Sequence, residues 1–325
     1  MFNIGDISKY RSELMGFAIL WIMTFHFSFT QIQLFDLFAK NGYGGVEIFM
    51  LVSGYGIYCS LEKENSLYQF YKKRFLRIFP IYYIIGITDS IIIFHDNFVS
   101  YLFRYTTIGF WTNGCYADWY IPTVIILYLI APFLKCLFDL RKTYICFIGA
   151  LLFILLSFFL ADGIFIDRAH YFMVYRVPAF IFGMFCADWV KHGIDSRYYY
   201  AAAIVGLPLF FYLYSRYQIV YNYRFLSFLF LMPTIVLSAI LLRHYANIQF
   251  INHTLSKMGK ASLEIYLVQG FVYHLIIYKI FDFTESYHDI QTIGCIIISS
   301  LLGYYIHCIW EKNIFNLIKS SYPPT

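Results

Sequence analysis

Charged residues are scarce in this chain. Asp, Glu, Lys and Arg make up 13% of its 325 residues, against about 25% in soluble domains, which excludes a sizeable soluble domain. Hydrophobic residues reach 60%, with 36 Phe and 32 Tyr, and the mean hydropathy is +0.63. Lipid must therefore be the solvent for most of this surface, and tyrosine suits the interface between lipid and water. The composition predicts a multi-pass membrane protein, and no linker divides residues 1–325 into separate domains.

Metal-ligand clusters, glycine-rich nucleotide loops and C-x-x-C pairs are also missing from the sequence. We therefore expect no metal and no permanently bound cofactor. The net charge of +5 follows from basic cytoplasmic loops in a membrane protein, so no nucleic-acid partner is expected. The seven cysteines are scattered, which is typical of small apolar residues rather than of disulfides.

Windows of about 20 apolar residues predict an all-α polytopic bundle of about ten transmembrane spans. With both termini in the cytoplasm, the cytoplasmic segments hold 17 of the 24 Lys and Arg residues, as the positive-inside rule requires. Residues 97–118 then form an outside loop. The predicted spans lie near residues 12–33, 43–61, 78–96, 119–138, 143–162, 171–190, 198–215, 224–242, 260–281 and 290–311.

Ionisable residues within the spans are candidate functional groups, because burying them in lipid is costly. His26 lies far along the first span among apolar neighbours. A neutral imidazole there can take a proton from a hydroxyl as a general base, or it can hydrogen-bond a neighbouring helix in a packing role. Glu47 opens the second span, where a carboxylate can stabilise the helix N-terminus or orient His26.

A basic cluster precedes the third span. It consists of Lys72, Lys73, Arg74 and Arg77, and the two arginines share one helical face. Such a cluster can keep this end of the span on the cytoplasmic side of the membrane and bind lipid headgroups. It can also hold an anionic, phosphate-bearing cosubstrate. Pro80 is typical of the start of a helix, so the sequence predicts that the third helix begins near it.

The later spans carry fewer polar candidates. Arg176 lies just inside the outer end of the sixth span, where its side chain can reach headgroups or hold a polar substrate at a cavity mouth. Glu264 lies one turn after Lys260, which predicts a helical ion pair. Gln269 and His274 carry weak signals of function.

These motifs, taken in order, resemble the integral-membrane acyltransferase-3 family, whose members often O-acetylate cell-surface glycans. The resemblance covers most of the chain. Its pieces are an apolar first helix with His26, Gly45-Val46-Glu47-Ile48-Phe49 followed by Ser53-Gly54, Phe70-Tyr71-Lys72-Lys73-Arg74-Phe75-Leu76-Arg77-Ile78-Phe79-Pro80, Trp119-Tyr120-Ile121 with Tyr128 and Pro132, Arg176-Val177-Pro178-Ala179-Phe180 with Gly183, and Ser262-Leu263-Glu264-Ile265-Tyr266-Leu267.

The chain departs from the family pattern at three positions. The family commonly has Arg or Lys eleven residues before the histidine, where this chain has Met15; Arg11 lies one turn earlier, near the same face. Val124 stands where many members have Glu, and Gln269 stands where they often have His.

The resemblance implies acyl transfer, of an acetyl group above all, from cytoplasmic acyl-CoA to a hydroxyl of a cell-surface or lipid-linked glycan. It implies a multi-pass protein of a plasma or inner membrane of bacterial type, with acyl-CoA as cosubstrate and the bilayer and the glycan as the other partners. His26 and Glu47 would be catalytic. The substrate-binding residues would be Arg74, Arg77, Lys72, Lys73, Arg11, Arg176 and Trp119.

Two other functions stay open at this point. A transporter or flippase of glycan precursors also needs helices with a few buried polar groups, but it would depend neither on acyl-CoA nor on Arg74 and Arg77. An acyltransferase for a small antibiotic or a peptidoglycan unit would differ only in its acceptor.

Overall fold

The computed structural model describes residues 4–27, 38–64, 66–113, 119–160, 173–193, 248–278, 280 and 287–312. These residues are almost entirely helical, and no strand occurs among them. The all-α prediction is therefore confirmed for the described part of the chain.

Eight of the ten predicted spans overlap described helices. The other two, at 198–215 and 224–242, lie outside the described residues, as do the two chain ends. The helices are α1 Asp6–Lys9, α2 Arg11–Phe27, α3 Gly44–Lys63, α4 Leu67–Asp89, α5 Phe98–Tyr105, α6 Ile108–Asn113, α7 Tyr120–Asp139, α8 Thr143–Leu160, α9 Val177–Lys191, α10 Gln249–Lys260, α11 Ser262–Ile277 and α12 His288–Trp310.

The distribution of polar and apolar side chains is that of a membrane protein. Four of the described helices are long and apolar enough to cross a bilayer: α3, α4 with its extension to Phe94, α7 and α12. Apolar side chains are exposed along α8 and α12, whereas the interior holds carboxylates, hydroxyls and a guanidinium. Lipid solvates the first kind of surface, and polar groups inside such a bundle must find partners there.

The predicted start of the third helix is wrong. Helix α4 begins at Leu67 and contains Pro80, so the basic cluster lies within the helix rather than ahead of it. A proline is tolerated inside a membrane helix when neighbouring helices stabilise the interrupted turn. Arg77, in the turn before Pro80, supplies such a contact by binding Glu264 of α11. The predicted outside loop also contains structure, the short helices α5 and α6.

Contacts along α4 show how the helices run. Midway along α4 Arg77 binds Glu264, and at the end of α4 Asp89 contacts His274, which lies ten residues beyond Glu264 on α11. Helices α4 and α11 therefore run in the same direction. We call the end of the bundle that contains Arg74 and Arg77 the basic end, and the end that contains Asp89 and His274 the cavity end.

Helix α9 runs parallel to α3. Arg176, directly before α9, pairs with Glu47 in the first turn of α3 at 2.5 Å, and Tyr58, three turns on, donates a hydrogen bond to Asp188 at 2.8 Å. Helices α3 and α9 run from the cavity end to the basic end, opposite to α4. This alternation agrees with the sequence prediction for the second, third and sixth spans.

Two glycines allow the backbones of α3 and α9 to touch. A Cβ atom on Gly183 would lie 2.0 Å from the Leu51 carbonyl oxygen, and one on Gly54 would lie 2.0 Å from the Phe180 carbonyl oxygen. Small residues at such crossings are the usual means of close helix packing in membranes. The two glycines therefore set the spacing that lets Arg176 reach Glu47.

We expect Gly183→Leu to destabilise the protein by about 1–3 kcal/mol or more, because the side chain must push the two backbones apart. Thermal unfolding of the detergent-solubilised protein measures this. Gly149→Leu is the matched control, since a Cβ on Gly149 in α8 meets no atom within 4 Å. Equal melting temperatures for the two variants would contradict the close packing of α3 on α9.

Candidate functional site

A cavity of about 560 Å³ opens at the cavity end of the bundle. Its wall is formed by α2, α3, α4, α5, α7 and α11, with contributions from the segments before α5 and α9. Aromatic side chains make up much of the wall. The polar groups that line it are His26, Asp89, Arg104, Arg176, Gln269 and His274.

His26 lies in the last turn of α2, where the helix reaches the cavity. The apolar residues before it are buried against α3 and α11 and keep this turn in the bundle. Its ring lies 5.2 Å from the ring of Tyr273 on α11. The sequence prediction of a histidine inside the bundle is matched by this position on a polar cavity wall.

Arg176 and Glu47 form a buried ion pair at the cavity wall. Both residues are at most 1% exposed. The guanidinium also donates to the Tyr175 hydroxyl at 3.2 Å, and it lies 5.7 Å from the ring of Trp119. The structure thus brings together three of the residues predicted from the sequence: Glu47, Arg176 and Trp119. Glu47 holds Arg176 in place, and Arg176 presents part of its surface to the cavity.

A second polar group on the wall joins His274, a weak candidate from the sequence, to Asp89 and Tyr105, which the sequence analysis does not single out. The Oδ2 atom of Asp89 lies 3.1 Å from Nδ1 of His274 and accepts a hydrogen bond from the Tyr105 hydroxyl at 3.2 Å. All three residues line the cavity. The arrangement is that of an imidazole oriented by a carboxylate, which fixes the tautomer of the ring.

One signal for this group was present in the sequence. Asp89 is a lone acid in the apolar run Ile84–Phe94 of α4, and a carboxylate in such a run is a functional candidate in itself. The structure adds another, because the helix changes to a π-helical turn, Ser90–Phe94, directly after Asp89. Such turns are frequent at functional sites.

At the basic end, Arg77 is bound to Glu264. One guanidinium nitrogen contacts Oε1, and the other donates to Oε2 at 3.0 Å. His307 of α12 contacts the same carboxylate at 3.3 Å. The predicted helical pair between Glu264 and Lys260 is therefore replaced by a link between α4, α11 and α12, and Lys260 contributes its carbonyl oxygen to Arg77.

Arg74, one turn earlier, has a different environment. Its guanidinium lies over the rings of Phe70 and Tyr128, at 5.4 and 5.8 Å. Its Nε atom is buried and has no hydrogen-bond partner among the described residues. Stacking holds the planar group while leaving its donors for an anion.

Arg11 joins Arg74 at the basic end. Its guanidinium lies against Gly56 of α3, where a Cβ atom would be 3.0 Å from it. Two positive charges at one end of the bundle favour an anion there. Lys73 is more remote, since it is exposed and pairs with Glu64; Lys72 precedes it on the same helix.

Helix α4 connects the arginines at the basic end with the polar residues of the cavity. Asp89 follows Arg74 by fifteen residues on α4, so the basic end and the cavity are roughly 22 Å apart along the bundle. His26 follows Arg11 by the same number of residues on α2. No group of three His, Cys, Asp or Glu residues suited to a metal occurs within the described ranges.

The chain is similar in sequence to known proteins. A protein of Acidianus two-tailed virus named "Putative acetyltransferase ORF330" is 26% identical over 140 residues, which are 40% of this chain and 42% of that relative. The chain thus spans less than half the length of this relative, and no solved structure matches it. The sequence profile of the acyltransferase-3 family, described as an acyltransferase domain, matches residues 14–309, from α2 with His26 through α12. The chain belongs to the acyltransferase-3 family.

Proposed function

We propose that this protein is a membrane O-acyltransferase that moves an acetyl group from cytoplasmic acetyl-CoA to a hydroxyl of a cell-surface or lipid-linked glycan. The observation that carries the proposal is the arrangement along α4. An arginine with available donors lies at one end, and a cavity lined by imidazoles lies at the other.

The basic end suits the phosphates of the donor. Arg74 is held by stacking on Phe70, and Arg11 lies against Gly56 at the same end of the bundle. Guanidiniums bind phosphate with paired, charge-assisted hydrogen bonds. Arg77 is committed to Glu264, so its part is to hold α4 in position. Lys72 and Lys73 add positive charge around this site.

The cavity suits the reacting groups. A long, narrow donor bound at the basic end would bring its thioester along the bundle to the cavity. His26 then takes the proton of the acceptor hydroxyl as the oxygen attacks the thioester, or it carries the acyl group transiently. Arg176 offers a fixed positive charge at the wall, which favours the negative charge that develops on the carbonyl oxygen.

The name of the viral relative supports an acetyl group as the one transferred. The polar and aromatic wall supports a sugar as acceptor. Aromatic faces, which include those of Trp119, Tyr175 and Tyr266, cover the apolar faces of a ligand, while fixed polar groups orient its hydroxyls.

We expect His26→Ala to abolish acetyl transfer with an unchanged melting temperature. A base of this kind contributes roughly 10²–10⁴-fold to the rate, and both proposed roles need the imidazole. Acetyl content of surface glycans, measured by NMR in complemented deletion cells, checks the expectation. Normal acetylation with His26→Ala would contradict the mechanism, and a change in glycan amount rather than acetylation would point to a transporter.

Arg74→Ala should raise the KM for acetyl-CoA by about tenfold or more, since a hydrogen bond to a charged group is worth about 1.5–3 kcal/mol. Release of CoA thiol by purified protein measures it. Lys73→Ala is the matched control, because Lys73 is exposed and pairs with Glu64, and its effect should be under threefold. Equal effects would mean that only the total charge of the cluster matters.

Arg77→Met should act on stability instead. The Arg77 side chain is 31% exposed, but Glu264 is fully buried. Removing one partner of a fully buried pair costs about 3–5 kcal/mol, and the loss here should be smaller because His307 still contacts the remaining carboxylate. The second change Glu264→Gln should recover much of the loss in thermal unfolding measurements. A large rise in KM for acetyl-CoA with unchanged stability would instead make Arg77 a ligand of the donor.

A further inference from the structure

The cavity holds a second imidazole group that the proposed reaction has not used. Asp89 is 6% exposed, and its Oδ2 atom binds both His274 and the Tyr105 hydroxyl. Its other oxygen, Oδ1, is buried and has no hydrogen-bond partner in the described part of the chain. A buried carboxylate oxygen without a donor is costly, which indicates that a ligand with a hydroxyl completes the site.

His274 is oriented for proton transfer. The carboxylate of Asp89 at its Nδ1 fixes the ring and leaves Nε2 as the atom that can accept a proton. The same ring packs edge-on against Phe94 and Tyr278, with ring centres 5.4 and 6.4 Å away. Carboxylate and aromatic neighbours together restrict the ring to one orientation, which is what a general base requires.

His26 and His274 belong to one site. The His26 ring lies 5.2 Å from the ring of Tyr273, the residue directly before His274 on α11. All three residues line the cavity. They reach it from different helices, so a substrate between them meets one imidazole from α2 and another from α11.

We propose that Asp89 and His274 form the base that activates the acceptor hydroxyl, and that His26 carries the acyl group. This inference rests on the proposed function. In the first step a nitrogen of His26 attacks the thioester carbonyl, the C–S bond breaks, and the sulfur receives the proton from the other nitrogen of that ring. In the second step Nε2 of His274 takes the proton of the acceptor hydroxyl. The oxygen bonds to the acyl carbon, the C–N bond breaks, and the proton passes from His274 to His26.

The acidities of the thiol and of the alcohol favour these separate roles for His26 and His274. A thiolate is a good leaving group because the pKa of an ordinary thiol is about 8.5, so the first step needs little help from a second imidazole. An alcohol hydroxyl is far less acidic, and the second step therefore gains most from an oriented base. Asp89 is a positioning residue for His274 and, through Oδ1, a binding group for a neighbouring hydroxyl of the acceptor.

The test uses the full-length protein in detergent with acetyl-CoA labelled in the acetyl group, and it follows thiol release and label on the quenched protein. In His274→Ala we expect steady turnover to fall about 100-fold or more, while up to one equivalent of label stays on the protein. Imidazole in the buffer should restore turnover. Asp89→Asn should also lose turnover. Imidazole should not rescue this variant, because the His274 side chain is still present and leaves no space for an added imidazole.

Two controls separate this result from loss of folding. His192→Ala removes a histidine that is likewise paired with an aspartate, Asp188 at 3.2 Å, but away from the cavity, and it should leave turnover unchanged. Adding His26→Ala to His274→Ala should abolish the label. Normal turnover in His274→Ala, or lost turnover without label or rescue, would overturn the role of the pair. Absence of thiol release in the wild type would instead refute the proposed function, and this inference with it.

Discussion

The buried ion pair between Glu47 and Arg176 is the interaction on which the site depends. Both residues are at most 1% exposed, and a lone charge at such a place would cost several kcal/mol. Each side chain therefore keeps the other where it is. Since Glu47 begins α3 and Arg176 precedes α9, the pair fixes the ends of two parallel helices at the cavity wall. Further along the two helices, Gly54 lies against the Phe180 carbonyl of α9 and Gly183 against the Leu51 carbonyl of α3, and this close approach is the matching constraint.

A similar rule organises the basic end. Glu264 is fully buried and binds Arg77 from α4 and His307 from α12, so three helices are joined through one carboxylate. This frees Arg74, one turn away, from any structural ion pair in the described region. Two arginines three residues apart thus have different surroundings, and the difference comes from which face of α4 meets α11. The protein uses one for assembly and, in the proposed reaction, the other for binding.

The helices can be predicted from the sequence because an apolar window identifies a helix without information on which helices pack against it. The sequence also singles out ionisable residues within the spans, among them Glu47 and Arg176, which the structure buries. It did not predict the pairs. Arg77 and Glu264 are 187 positions apart, and only packing brings them together.

Asp89 shows a second limit of sequence reasoning. A lone acid in an apolar run can be recognised, but its role depends on a histidine 185 positions away and on a π-helical turn. The start of α4 was mispredicted for a related reason. Pro80 is a local signal for the start of a helix, and the contact between Arg77 and Glu264 stabilises the turn before it from outside.

Met15 is the clearest departure from the family pattern, and the structure gives it a physical meaning. The positive charge lies at Arg11 instead, about 6 Å nearer the basic end, where the side chain fits against Gly56 and approaches Arg74. Met15 itself packs against the apolar core. In the proposed reaction this concentrates positive charge where the donor's phosphates bind and leaves an apolar stretch of α2 between them and His26. An uncharged thioester arm can pass such a stretch at little cost, whereas the phosphates cannot follow it, so the donor would stop with its acyl group at the cavity.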